Sequence, residues 1–438
     1  MSRWLRRALI ASLATTAAPA LAEDAPLQPP VAARKPHQVK APFGASREDE
    51  YYWLRDDTRK NPEMLAYLKA ENAYADAVMA PTKPVQEALY KEIVGRIKQD
   101  DSTVPYLDNG YWYYTRFETG GNYPIVARKK GSLDAAEEII LNQPEMARGA
   151  NFFQIPGRQV SPDNRLLAYA EDKVGRRQYV LKVKDLTTGQ TLTDEIPNVQ
   201  AGFAWAGDNK TIFYIEKDPV TLLGKRVKAH VLGTPVSQDR LVYEEKDDTF
   251  SLGIGTTSSE KFICIYSGKT VSDEQRCAPV DNPLTFTVIA PRERDFLYGA
   301  DHVGDRWVIR TNWQAPNYRL MTVPDSATGT GKAAWKDIVP HSASVFIEGV
   351  QPFDNYLAIE ERSGGNKRLR LLGNDGKSSF VEADEPAYSM GLSTNAETAT
   401  DWVRYTYNSL TTPSTVIDAN MKTRERKTLN VTPVPGYH

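Results

Sequence analysis

A strand motif that returns at an almost even interval limits what this chain can fold into. It is plainest at 161–189. Ser161-Pro-Asp-Asn makes a tight turn there, because proline presets φ and Asp163 and Asn164 accept the bend. Residues 165–170 then alternate as a strand, 172–177 loop around Gly175, and Tyr179-Val-Leu-Lys-Val-Lys alternates with period two before a turn ending at Gly189. A turn followed by an apolar strand recurs at Leu166, Ile212, Phe262, Trp307, Tyr356 and Trp402, about every 45–50 residues, the spacing of four-stranded propeller blades. A hairpin from Tyr111 through Thr119-Gly-Gly-Asn122 to Arg128 adds one more unit. The expectation is an all-β fold, a seven-bladed β-propeller over 103–432. Two separate β-sandwiches would not keep one period across so long a region.

Ahead of the repeat the pattern is helical. Asn61-Pro62 is a helix start, with proline where its missing N–H does no harm. Met64, Leu65, Leu68, Asn72 and Ala75 share one face, and Leu89, Ile93 and Ile97 form a stripe on a second helix. Residues 49–102 are therefore expected as a short α-helical N-terminal segment, after an extended Pro- and Ala-rich lead-in at 23–48. Residues 1–22 read as a secretory signal peptide, with Arg3, Arg6 and Arg7, a short apolar run and an Ala20-Leu21-Ala22 cleavage site. No later stretch is long and apolar enough for a transmembrane helix. The expectation is an exported, soluble protein, periplasmic where there is an outer membrane.

The 54 basic and 56 acidic residues nearly cancel, so charge alone calls for neither nucleic acid nor an anionic membrane. Cys264 and Cys277 flank a loop, and an oxidising compartment permits a bridge between them; two buried thiols is the other reading. They lack the spacing of a redox or zinc motif. His37, His230, His302, His341 and His438 are scattered, with no metal-ligand spacing, and each reads as a structural residue. There is no Gly-x-Ser-x-Gly pentapeptide. No catalytic residue, metal or cofactor is expected. The charge runs at 244–248, 360–362, Arg176-Arg177 and Lys367-Arg368 read first as solvated loop faces, although acidic runs could line a channel that attracts basic peptides.

Several stretches, in order, resemble the prolyl oligopeptidase family of serine peptidases, and oligopeptidase B most of all. Asp49-Glu-Tyr-Tyr-Trp-Leu-Arg-Asp56 is similar to an early family motif, with Arg55 where an acid is usual, and Glu71-Asn-Ala-Tyr74 to the helix after it. Ser161 to Tyr169, Val183 to Gly189, His230-Val-Leu-Gly-Thr234 and Asp239 to Glu245 resemble its blades. Tyr407 to Ser414 and Pro433-Val-Pro-Gly-Tyr437 resemble the end of its propeller and the crossing to the next domain, so 433–438 reads as a linker stub. The resemblance implies a gating propeller that admits short peptides through its funnel to an α/β-hydrolase domain, with cleavage after Arg or Lys. No residue of this chain matches the family's nucleophile, base or orienting acid. The resemblance therefore implies a chain that is inactive alone and whose partner is a separate or missing hydrolase domain. The other reading is a standalone periplasmic propeller that binds peptide or protein partners.

Overall fold

The Asp-Asn turns are built by their own side chains. Asp163 Oδ1 accepts the Ser161 hydroxyl and the Arg165 amide, and Ser161 Oγ accepts the Leu166 amide. Asn164 takes the left-handed region at φ 64°, which asparagine tolerates better than most residues. The echo at Asp208-Asn209 is the same device: Asn209 has φ 58° and Asp208 accepts the Lys210 and Thr211 amides. Each turn starts a strand whose apolar residues are buried, as in Ile212, Phe213, Tyr214 and Ile215.

The computed structural model describes residues 27–435. The signal-peptide reading lies outside the described residues, as do Gly436, Tyr437 and His438. The chain divides into two compact units at Ile93 and Val94. In the first, helix α1 (Pro62–Met79) begins as the sequence predicts: Asn61 Oδ1 accepts the Glu63 and Met64 amides, with Pro62 following. Helix α2 spans Lys83–Gly95. Of α1 only Met64 is buried, while Leu65, Leu68, Leu89 and Ile93 are exposed. Among the described residues no helix is long and apolar enough to cross a membrane.

The second unit is a succession of antiparallel sheets, each made of strands adjacent in sequence. We number them I (106–142), II (154–244), III (251–290), IV (298–339), V (346–380) and VI (388–431). Their topology corrects the expectation of seven blades. Sheets I, III, IV, V and VI have four strands each, and sheet II has seven. The propeller thus has five four-stranded blades and one seven-stranded sheet. The cause is a single strand, Thr191–Trp205, which pairs with Tyr179–Asp185 on one side and Thr211–Lys217 on the other. Its register shifts between Ile196 and Val199 and again between Val199 and Phe203, with Asn198 at φ 57°. These bulges bend the strand without breaking it. Leu181 and Val183 on one arm of the sheet thereby share an apolar cluster with Ile212 and Tyr214 on the other.

Consecutive sheets are joined face to face by apolar clusters. Val126 and Leu141 of sheet I meet Ile155 and Leu167 of sheet II. Phe213 and Val227 meet Leu252 and Ile263 at the junction of sheets II and III. Cys264, Cys277 and Ile289 meet Trp307 and Ile309 between sheets III and IV. Val308 and Leu320 meet Ile359 and Leu372 between IV and V, and Leu369 and Leu371 meet Val403 and Tyr405 between V and VI. Cys264 and Cys277 are direct cross-strand partners and are joined by a disulfide.

Polar contacts also tie sheets II and III together. Glu245 is 5 % exposed and accepts from Arg292 (2.8 Å), Tyr243 (2.8 Å), Ser267 and the Asp247 amide. Burial opposes its charge, but these donors, Arg292 first among them, hold its pKa down at about 2. Its contribution is present above the ordinary carboxylate range and is lost as pH falls from about 4 to about 2.

Sheets VI and I meet differently. Among the described residues no apolar cluster spans them. Arg404, paired with Asp418, donates to the Pro105 carbonyl at 2.7 Å, and Glu397 accepts the Asn109 amide at 2.8 Å. A cavity of about 470 Å³, lined by Tyr113, Val126, Arg404 and Val416, takes the place of packed side chains. Arg404→Ala is expected to cost about 1–3 kcal/mol, the worth of charge-assisted bonds. It should accelerate amide exchange in sheets I and VI before sheets III and IV. Uniform acceleration, read by hydrogen-exchange mass spectrometry, would show that the junction is no weaker than the others.

Candidate functional site

The turns that open the sheets meet on one face of the second unit and lock side to side. Asn109 Nδ2 donates to the Pro162 carbonyl, Asn164 Nδ2 to the Asn109 carbonyl, and the Asp163 amide to Asn209 Oδ1. Farther round, Ser258 bonds Asp301 through its amide and hydroxyl, Lys261 bonds the Gly304 carbonyl, and Gln351 Nε2 donates to Ser258 Oγ. Short polar turn residues at the head of each repeat thus build one rim.

Inside this rim lies a cavity of about 330 Å³ that draws residues from sheets I, II and III. Asp108, Glu260 and Asp281 line it, with Arg158 as the basic side chain and Tyr106 and Trp205 as aromatic walls. Burial first, and then the charges of Glu260 and Glu397, push the Asp108 carboxyl up to about 6. Glu260 is also raised, by burial and then by Glu397. A strand-end carboxylate of sheet I and loop carboxylates of sheets III and VI therefore bear on one another at this mouth. Such a place favours a cationic group, which relieves like-charge repulsion as it binds. Among the described residues no group of three or more His, Cys, Asp or Glu side chains is placed to hold a metal ion.

One constellation has the composition of a hydrolytic triad. Ser259 Oγ lies 2.7 Å from His302 Nδ1, and His302 Nε2 lies 2.8 Å from Asp325 Oδ1. Its setting is that of a lock between sheets III and IV. His302 is fully buried, with Phe262 and Trp307 at 4.7 and 5.1 Å. The Ser259 oxygen is engaged by the Thr257 hydroxyl and the Lys261 amide. A nucleophile needs a base free to take its proton, and here the histidine is fully buried between Ser259 and Asp325 while the hydroxyl is held by three partners. His230 is also fully buried, between Asp239 (2.7 Å) and Asp194 (3.0 Å). His37 stacks on Tyr52, and His341 is exposed.

Arg176-Arg177 and 246–248 lie in loops as the sequence predicts, but other members of the charge runs do not. Glu361 is buried on strand Tyr356–Ser363, and Arg368 sits opposite it on strand Asn366–Gly373, so neither belongs to a loop. Glu245 of the 244–248 run is the buried link to Arg292. The carboxylates that do meet at the mouth, Asp108, Glu260 and Glu397, are isolated in sequence. Asp108 ends a strand, Glu260 sits in a turn and Glu397 in the connection between two strands.

A helical unit followed by antiparallel sheets whose turns build one rim defines a β-propeller with an N-terminal helical segment. Residues 30–432 match the family model described as the prolyl oligopeptidase N-terminal beta-propeller domain, and the chain belongs to that family. It is 54 % identical over 425 residues to dipeptidyl aminopeptidase BI of Pseudoxanthomonas mexicana, covering 93 % of this chain and 58 % of that protein. It is 33 % identical to protease 2 of Moraxella lacunata, covering 93 % of this chain and 59 % of that one. Oligopeptidase B from Leishmania major superposes with a TM-score of 0.87 at 28 % identity, covering 94 % of this chain and 62 % of that one. The chain thus spans less than two thirds of the length of these relatives.

The raised Asp108 carboxyl gives a signed expectation. Between about 4 and about 6 the folded chain holds this proton and the unfolded chain does not, so this group's contribution to stability falls as pH rises through that window. Asp108→Asn should therefore raise the melting temperature above pH 6 and leave it unchanged below pH 4, in thermal melts across pH. A lower melting temperature at pH 7 would mean that the charge is needed for the fold.

Proposed function

We propose that this chain is the gating propeller part of a serine peptidase that acts on short peptides, with cleavage after Arg or Lys, and that the chain does not hydrolyse peptides by itself. The observation that carries the reading is the acidic mouth inside the propeller rim, where Asp108, Glu260 and Glu397 bear on one another. A propeller over an active site filters by width, and an acidic mouth adds a preference for positive charge. The absence of independent activity is supported by the settings of His230 and His302, which are buried in structural networks, and of Ser259, whose hydroxyl is engaged. The exposed apolar residues of α1 and α2 support docking of a hydrolase domain on those helices. Export to an oxidising compartment belongs to the same reading, and the Cys264–Cys277 bridge supports it.

A second specificity is favoured by one comparison. The relative 54 % identical to this chain is named dipeptidyl aminopeptidase BI. Release of dipeptides from a free N-terminus would use the same mouth, because a peptide's terminal ammonium is cationic as well. The test is an assay of the purified chain on Arg- and Lys-containing peptides, alone and mixed with a hydrolase domain carrying a Gly-x-Ser-x-Gly nucleophile. No cleavage alone and serine-reagent-sensitive cleavage in the mixture are expected. Mass spectrometry of the products separates cuts after Arg or Lys from stepwise dipeptide release. Serine-reagent-sensitive cleavage by the chain alone would overturn the gating-only reading. A chain that binds basic peptides but gains no activity in the mixture would be a standalone binding propeller.

A further inference from the structure

A third cavity, of about 330 Å³, lies where sheets IV and V meet, on residues that the peptidase reading does not use. Its walls come from the connection after strand Lys336–Val339 and from strands Tyr356–Ser363 and Asn366–Gly373. Glu361 and Arg368 face each other across the pairing of those last two strands, and Arg370 pairs with Ile359, one step along the same face. Arg368 spends its charge on Glu361 Oε1, at 2.7 Å, and stacks on Phe380 at 4.3 Å.

Two groups at this cavity are left over. Glu361 is 1 % exposed, yet its Oε2 accepts no hydrogen bond. A buried carboxylate oxygen without a donor costs free energy, and native structures seldom leave one so. Arg370 has a buried Nε without a partner, and among the described residues its guanidinium makes no ion pair. One carboxylate against two guanidinium groups leaves the site with one positive charge in excess. Val345, Ile347 and Phe380 give it an apolar wall, and His341 and Ser342 line it as well.

We propose that this cavity binds an α-carboxylate that carries a neighbouring N–H, as at a peptide C-terminus or in a free amino acid. The guanidinium fork of Arg370 matches a carboxylate in geometry and charge. The adjacent N–H supplies the donor that Glu361 Oε2 lacks, and an apolar side chain would lie against Val345, Ile347 and Phe380. Arg368 is a positioning residue that fixes the Glu361 carboxylate. The volume lies at the small end of ligand sites, which suits one or two residues.

Calorimetric titration of the whole chain with glycyl-leucine, its C-terminal amide and leucine tests the proposal. Glycyl-leucine is expected to bind, and the amide at least about tenfold more weakly, a loss of about 1.4 kcal/mol. Arg370→Gln should abolish binding, and Arg370→Lys should keep part of it. Leucine equal to glycyl-leucine assigns the site to free amino acids, and leucine about tenfold weaker assigns it to peptide C-termini. Equal binding of acid and amide, binding of neither, or full binding by Arg370→Gln would overturn the proposal. The acid–amide comparison needs no variant, so a folding defect in Arg370→Gln leaves the test intact.

Discussion

Sheets II to V are apolar on both faces, and the stacking of the second unit follows from that. A sheet with one wet face can stop the stacking, but these sheets cannot. Ile212 and Tyr214 pack toward the other arm of sheet II while Phe213 and Ile215 pack toward sheet III, on a single strand. Sheets I and VI end the stack, and polar bonds from Arg404 and Glu397 close it. The repeat of strand and turn is the sequence form of that stacking, because each inner unit brings two apolar faces and one polar turn. The turns then collect on one rim, and the chemistry of the mouth comes as a by-product of how the sheets are covered.

That rule made much of the fold legible. The Asp-Asn turns, the strands after them and the Asn61-Pro62 helix start are all local signals, and the structure has them where the residues place them. The number of blades was not legible, for a reason that can be named. Pro197 and Asn198 look like a break between strands, since both are turn residues. In the structure they sit in a bulged stretch of Thr191–Trp205, and the backbone passes through them from one arm of sheet II to the other. A bulge and a turn share residue types, and only the pairing partners on each side tell them apart.

The sites were less legible than the fold. Runs of charge draw the eye in a sequence, but Glu245, Glu361 and Arg368 proved to be internal links between strands and sheets. The carboxylates that meet at the mouth stand alone in sequence and belong to different repeats, so nothing short of the ring geometry brings Asp108 near Glu260. In the same way Ser259, His302 and Asp325 have the composition of a catalytic triad, and it is burial that separates a lock from an active site.

The junction of sheets VI and I shows what closure without strand exchange entails. Every other junction is spanned by the backbone, so its sheets remain tethered whatever their side chains do. At this one the chain's two ends of the ring meet with no covalent link inside the second unit, and Arg404, Asn109 and Glu397 act across it as reversible clasps. In mechanical terms the molecule is a split ring rather than a hoop. Its compliance is concentrated in one slot, and radial strain on the wall is relieved there at the expense of a few polar bonds before any apolar face is exposed elsewhere.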